Sequence, residues 1–130
     1  MMKKTVIASV LLLTFISLFL LNGCAKKKQA KLLQLRVTQY NDLIRWREYD
    51  KAVDFVQDKE KFMAEMERKG NDYQVIDYSV SEIKHELGDT KAFAIIEREY
   101  HVLPSVTIKN EKITQVWEFT NKNWYLVSPY

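Results

Sequence analysis

The chain has 130 residues, of which 47% are hydrophobic and 28% charged, with a formal net charge of +3. That length suits one compact domain behind a leader and is short for two, and the near balance of charge excludes the broad basic surface of a nucleic-acid binder. Cys24 is the single cysteine, so no internal disulfide is available, and with His85 and His101 far apart and the only histidines, neither a metal centre nor a cofactor is expected.

In chain order, Met1-Met2-Lys3-Lys4 opens a basic head, and residues 5–21 carry no charge. This is the build of an export signal. At about 1.5 Å per helical residue the run reaches roughly 25 Å, at the lower limit for a hydrocarbon core of about 30 Å, so an uncleaved anchor is the competing reading. The run ends in "SLFLLNGCAKKK". Within it, Leu21-Asn22-Gly23-Cys24 resembles the bacterial lipobox: leucine three places before cysteine, with short residues between. Asn22 replaces the more usual alanine or serine.

The lipobox resemblance implies that the Cys24 thiol receives a diacylglycerol, that the peptide is cut before it, and that the new amino group is often acylated too. The expected organisation is then a lipoprotein signal peptide over 1–23, a lipidated tether over 24–30 and a folded domain over 31–130. Two or three acyl chains make a stable anchor where one is marginal, so the membrane is the first expected partner, through Cys24. Ala25 is not the aspartate typical of inner-membrane retention. The expected place is therefore the cell envelope, on the outer membrane facing the periplasm if the cell has two membranes. Lys26, Lys27 and Lys28 read more simply as a solvated tether than as a headgroup contact.

Leu33, Val37, Tyr40 and Ile44 recur at helical spacing, with Leu32, Leu35, Leu43 and Trp46 widening the stripe, which predicts a helix from the tether to about Glu48. Asp50 is placed to cap a second, short helix. Asp58 is placed to cap a third, with Phe62, Met63 and Met66 inward and Lys69-Gly70 at its end. These stripes read as core.

From Asp72 the pattern becomes β-branched and aromatic, predicting strands over 73–87 and 90–103 around a Gly88-Asp89 turn. A two-residue loop sets Ile83 opposite Ala94 and Val75 opposite Val102, but Val80 opposite Glu97. Neither face is then cleanly apolar, and a bulge is expected to shift the register midway. A last hairpin turning at Asn121-Lys122 pairs Phe119 with Trp124 and Trp117 with Leu126 on one core face. Helices followed by a meander of long antiparallel strands define an α+β class, with the helices packed on a curved sheet.

The stretches "QYNDLIRWREYDKAVDFV", "DTKAFAIIEREYHVLPS" and "ITQVWEFTNKNWYLV" resemble the nuclear-transport-factor-2-like superfamily of cone-shaped domains, in particular its small bacterial lipoproteins. The usual turn glycine of that family is replaced here by Asn121-Lys122-Asn123. The resemblance implies a pocket between helices and sheet, in a family that ranges from isomerases and dehydratases to pure binding modules, so function rests on the residues.

The residues offer little chemistry. No glycine-rich phosphate loop and no nucleophile elbow is present. His85 reads as a strand-end surface residue. "EREYH" is the most reactive-looking segment: Glu97, Glu99 and His101 fall on one face of a strand at roughly 6.6 Å intervals, with Arg98 and Tyr100 on the other. A carboxylate and an imidazole so placed could act as base and acid on a bound ligand. The neighbouring Ala92, Ala94 and Ile96 instead commit the opposite face to the core and turn the three outward. An isomerase-like site would also want an aspartate and a tyrosine deep in the cone, for which Tyr40, Asp42, Asp77 and Tyr78 are available. The favoured reading is a non-catalytic module that holds a small apolar ligand or an envelope protein. The alternative is a cone-pocket enzyme of the isomerase or dehydratase type. A homodimer is left open.

Overall fold

The computed structural model describes the backbone of residues 2–130 and the side chains of residues 23–130. The charge-free run 5–21, and with it most of the expected signal peptide, lies outside the described side chains. Among the described residues no helix is long and apolar enough to cross a membrane. The chain divides into two units, Met1–Lys31 and Leu32–Tyr130. The first is formed by the early part of helix α1, Met2–Arg45, and residues 23–28 within it are exposed, Cys24 included.

The second unit holds the rest of α1, then α2 (Tyr49–Ala52), a 3-10 turn (Val53–Phe55) and α3 (Lys59–Lys69). Strands β1 (Tyr73–His85), β2 (Lys91–Val102), β3 (Lys109–Thr120) and β4 (Asn123–Ser128) follow as a four-stranded antiparallel meander in the order β1-β2-β3-β4. The class is α+β, with N-terminal helices packed against the sheet.

On α1, Leu33, Val37, Tyr40 and Ile44 are buried as their spacing requires. Leu35 and Trp46 do not widen the stripe: they are 53% and 68% exposed, because at about 100° per residue each falls well away from the buried line. The helix also ends earlier than its apolar pattern does. Arg47 takes a left-handed backbone, φ 59°, and its N–H bonds to the carbonyl of Ile44 at 3.1 Å while that of Glu48 reaches Leu43 at 2.9 Å. These two bonds are a Schellman closure, usually built on glycine. No glycine marks it here.

α2 starts after Glu48, which gives no side-chain cap, and Asp50 sits inside its first turn rather than at its head. Asp58 does cap α3, its Oδ1 accepting from the Lys61 N–H at 3.0 Å. Gly70 closes the same helix at φ 76°, donating its N–H to the Met66 carbonyl. Phe62 and Met66, four residues apart, are buried, whereas Met63 is turned away and 45% exposed.

The β1–β2 register matches the expectation near the turn, where Ile83 faces Ala94, and then shifts twice, between Val80 and Glu82 and between Val75 and Asp77. The shifts place Val80 opposite Ile96 and Tyr73, not Val75, opposite Val102. The tip is wider than two residues, since the Glu86 N–H bonds across to Lys91 O at 2.9 Å. The last hairpin pairs Trp117 with Leu126 and Phe119 with Trp124, and its Asn121 and Lys122 both have positive φ, 50° and 62°. That is the I′ geometry favoured between twisted strands.

Between helices and sheet lies an aromatic core, with an open cleft of about 330 Å³ beside it, lined by Lys61, Glu65 and Lys69 of α3, Glu111 and Ile113 of β3 and residues 128–130. Tyr40, Phe62, Trp117, Trp124 and Leu126 are each 0% exposed. Tyr40 meets Trp117 edge-on at 5.9 Å and Phe62 at 6.3 Å, and Phe62 meets Tyr130 at 5.3 Å. Such offset and edge-to-face contacts add to area burial.

Candidate functional site

Alternation along β2 sorts "EREYH" between two faces. Ala92, Ala94, Ile96 and Arg98 are buried, whereas Glu97 and Glu99 are exposed and His101 is half-buried. On the outer face Ser79, Glu97 and Lys112 form one cross-strand row and Asp77, Glu99 and Asn110 the next. Lys112 Nζ lies 4.0 Å from Glu97 Oε1. An open cleft of about 390 Å³ is lined here by residues 77–79, 97–99 and 110–112. His101 belongs to another contact: its Nε2 is 2.8 Å from Oε1 of its cross-strand partner Gln74. The three candidate acid–base residues thus share a side of the strand, with the imidazole engaged by an amide. The arrangement is an exposed surface that carries charge of both signs.

Behind this face lies a buried polar cluster that the sequence reading did not single out. Arg98 is 2% exposed, Asn41 1% and Gln115 0%. Arg98 Nη2 donates to Asn41 Oδ1 at 3.1 Å and Nη1 to the main-chain oxygen of Tyr130 at 3.3 Å, with Glu111 Oε1 at 3.8 Å. Asn41 and Gln115 exchange two hydrogen bonds of 3.2 Å, and Trp117 Nε1 donates to Gln115 Oε1 at 3.3 Å. Tyr73 Oη donates to Glu111 Oε1 at 2.9 Å. A charge held this deep needs this density of partners. The sequence signal was there: Arg98 continues the parity of Ala92, Ala94 and Ile96.

The cluster perturbs its neighbours. Burial pushes the Tyr73 hydroxyl up, and burial together with the Arg98 charge pushes the Lys69 amine down. Lys69 Nζ donates to the same Tyr130 oxygen at 3.2 Å. Tyr40 Oη and Tyr130 Oη are buried without a hydrogen-bond partner. Burial raises the Tyr40 hydroxyl well above its ordinary range, and the nearby Arg98 charge offsets only part of that.

Of the four residues suited to an isomerase-like site, three come together. Tyr78 Oη donates to Asp42 Oδ1 at 2.6 Å and also reaches the Thr38 carbonyl at 3.1 Å, while Arg45 Nη1 lies 3.4 Å from Asp77 Oδ1. Burial, then the bond to Asp42, pushes the Tyr78 hydroxyl up. The group fastens α1 to β1 at the domain surface, where Asp42 and Asp77 are exposed. Tyr40 stands apart in the aromatic core. Among the described residues no set of three or more histidine, cysteine, aspartate or glutamate side chains is arranged to hold a metal ion.

No protein-family model matches the chain, and no curated protein matches it. Among solved structures it is similar to the intermembrane-space region of the chloroplast protein ARC6, at 10% identity and a TM-score of 0.46, over 76% of this chain and 92% of that one. The likeness is one of general architecture, helices on an antiparallel sheet.

Proposed function

We propose that the chain is a lipid-anchored envelope protein of the nuclear-transport-factor-2-like kind, whose folded domain is a non-catalytic interaction module. The observation that carries the reading is Cys24 itself. It is exposed, it closes a lipobox-like stretch behind a charge-free run, and it stands nine residues before Leu33, the first buried side chain among the described residues. A peptidase and an acyltransferase need that accessibility, and a thiol with small neighbours is their substrate chemistry.

The module half of the reading is supported by the exposed outer face of the sheet. There Glu97, Glu99 and Lys112 offer a partner protein charge of both signs. Exposed ion pairs of this kind contribute little to stability, so they can be exchanged for partner contacts at small cost. The test has two parts. Cys24→Ser should abolish fatty-acid labelling and leave an uncleaved precursor. A photo-crosslinking residue at position 99 should capture one discrete envelope protein, and capture should fall when Glu97→Lys reverses the neighbouring charge. Continued lipid labelling of the serine variant sinks the anchor, and crosslinks to lipid or water alone sink the module.

A further inference from the structure

The sheet ends in β1 on one side and β4 on the other, and the chain treats these two edges differently. At β4 it closes its own edge, since Val56 bridges Leu126 and the Gln57 N–H bonds to Leu126 O at 2.9 Å. At β1 the cover stops halfway. Tyr78 Oη donates to Asp42 Oδ1 of α1 at 2.6 Å and Arg45 Nη1 lies 3.4 Å from Asp77 Oδ1, whereas Arg36, further back on the helix, donates to the Trp124 carbonyl of β4 at 3.1 Å. The helix thus crosses the sheet obliquely and meets β1 around residues 77–78, across the Val80/Glu82 shift from residues 82–85. There Glu82, Lys84 and His85 are exposed and Ile83 is half-buried.

The direction of the main chain in this stretch follows from its pairing. The Glu86 N–H bonds across the hairpin to Lys91 O, and the register runs without a shift through Lys84–Phe93 to Glu82–Ile95. Alternate residues of an antiparallel strand turn both main-chain groups to the same side. Residues 82, 84 and 86 therefore bond to β2, and Ile83 and His85 direct N–H and C=O to the open edge.

We propose that this edge pairs antiparallel with the same edge of a second copy, about a two-fold axis at Ile83. The outward main-chain groups of Ile83 let two copies exchange both hydrogen bonds at the axis. The side chains fit the same axis: Glu82 of each copy comes opposite Lys84 of the other, on the side of the sheet away from the helices. Within one chain Lys84 Nζ lies 3.6 Å from Glu82 Oε2, with both side chains exposed, a contact of little worth in water. The second copy adds two direct cross-strand pairs, which contribute more. Charged side chains on an edge strand normally keep other strands away. Glu-Ile-Lys does so for unlike sequences and is complementary to itself under a two-fold. The contact is small, in the size class of transient association. It needs no lipid anchor, since every residue in it belongs to the unit Leu32–Tyr130.

The test is covalent capture of the full chain in living cells. A photo-crosslinking residue at position 85, which the axis sets opposite Ser81 of the second copy, should give a product of twice the chain mass, linked within residues 80–87. Glu82→Lys and Lys84→Glu each set like charges opposite one another across the axis, and each should lower the yield severalfold. The exchange variant carrying both substitutions restores opposite charges and should recover the parental yield. Co-expression of the two single variants should recover it as well, through mixed pairs. A product of another mass alone, a link outside the β1 edge, or single variants that match the parent overturns the proposal. So does a loss that neither the exchange variant nor the co-expressed pair repairs.

Discussion

Arg98 shows how much one side chain can organise. Its guanidinium is buried, and Asn41 Oδ1, the Tyr130 main-chain oxygen and Glu111 are its partners. Asn41 is the hinge of this set, because its amide also exchanges hydrogen bonds with Gln115 and donates to the Val37 carbonyl at 2.9 Å. Asn41→Ala should therefore destabilise the fold by about 1–3 kcal/mol for each group left unpaired, read as a lower urea midpoint at unchanged slope. A change under about 0.5 kcal/mol, the scale of a neutral surface substitution, would mean that water takes over the amide's role. At this scale the sequence was a partial guide. Parity placed Glu97 and Glu99 outward and Arg98 inward, because Ala92, Ala94 and Ile96 precede them, but it did not show which groups would hold the inward charge. That depends on Asn41 and Gln115, which come from α1 and β3 and meet only in three dimensions.

Among the elements, the last hairpin was the most readable, since the aromatic and aliphatic residues of β3 and β4 have only one pairing that buries them together. Its turn is the departure from rule. Lys122 adopts φ 62° at an exposed position, a conformation that costs an L-residue roughly 1–2 kcal/mol. Lys122→Gly creates the Asn-Gly pair preferred for this turn and should raise stability by about 1 kcal/mol after glycine's entropic cost. Equilibrium unfolding checks this, and an unchanged or lower midpoint would show the strain to be absent. Two other boundaries escaped the sequence for the same physical reason. Arg47 ends α1 and Glu48 opens α2 without the glycine or the capping side chain that normally announces such sites. The β1–β2 register counted from the turn holds at Ile83–Ala94 and the expected mid-strand shift falls between Val80 and Glu82, but a second shift, between Val75 and Asp77, had no signal in the sequence and moves Val102 from Val75 to Tyr73.

The α+β class followed from the change of period near residue 72, and the mutual packing of the aromatic rings did not, because their angles are set by contacts between elements far apart in sequence. Three tyrosines give the fold a pH signature. The hydroxyls of Tyr40, Tyr73 and Tyr78 are raised from 10.0, with burial the largest cause at each. The folded state therefore holds these protons more tightly than the unfolded chain. Their contribution to stability is complete below pH 10 and is lost as pH rises through the raised folded values. Phenolate absorbance should accordingly show a fraction of the tyrosines that ionises late, together with unfolding. A single early titration with the fold intact would contradict the buried assignment.

The central claim is that a folded interaction module hangs from a lipid on Cys24, and intact mass spectrometry of the detergent-extracted membrane protein tests it most directly. The expected chain begins at Cys24 and carries at least one diacylglyceryl group, with Cys24→Ser recovered as the longer unmodified precursor. A wild-type chain that retains residues 1–23 and has an unmodified Cys24 thiol would contradict it.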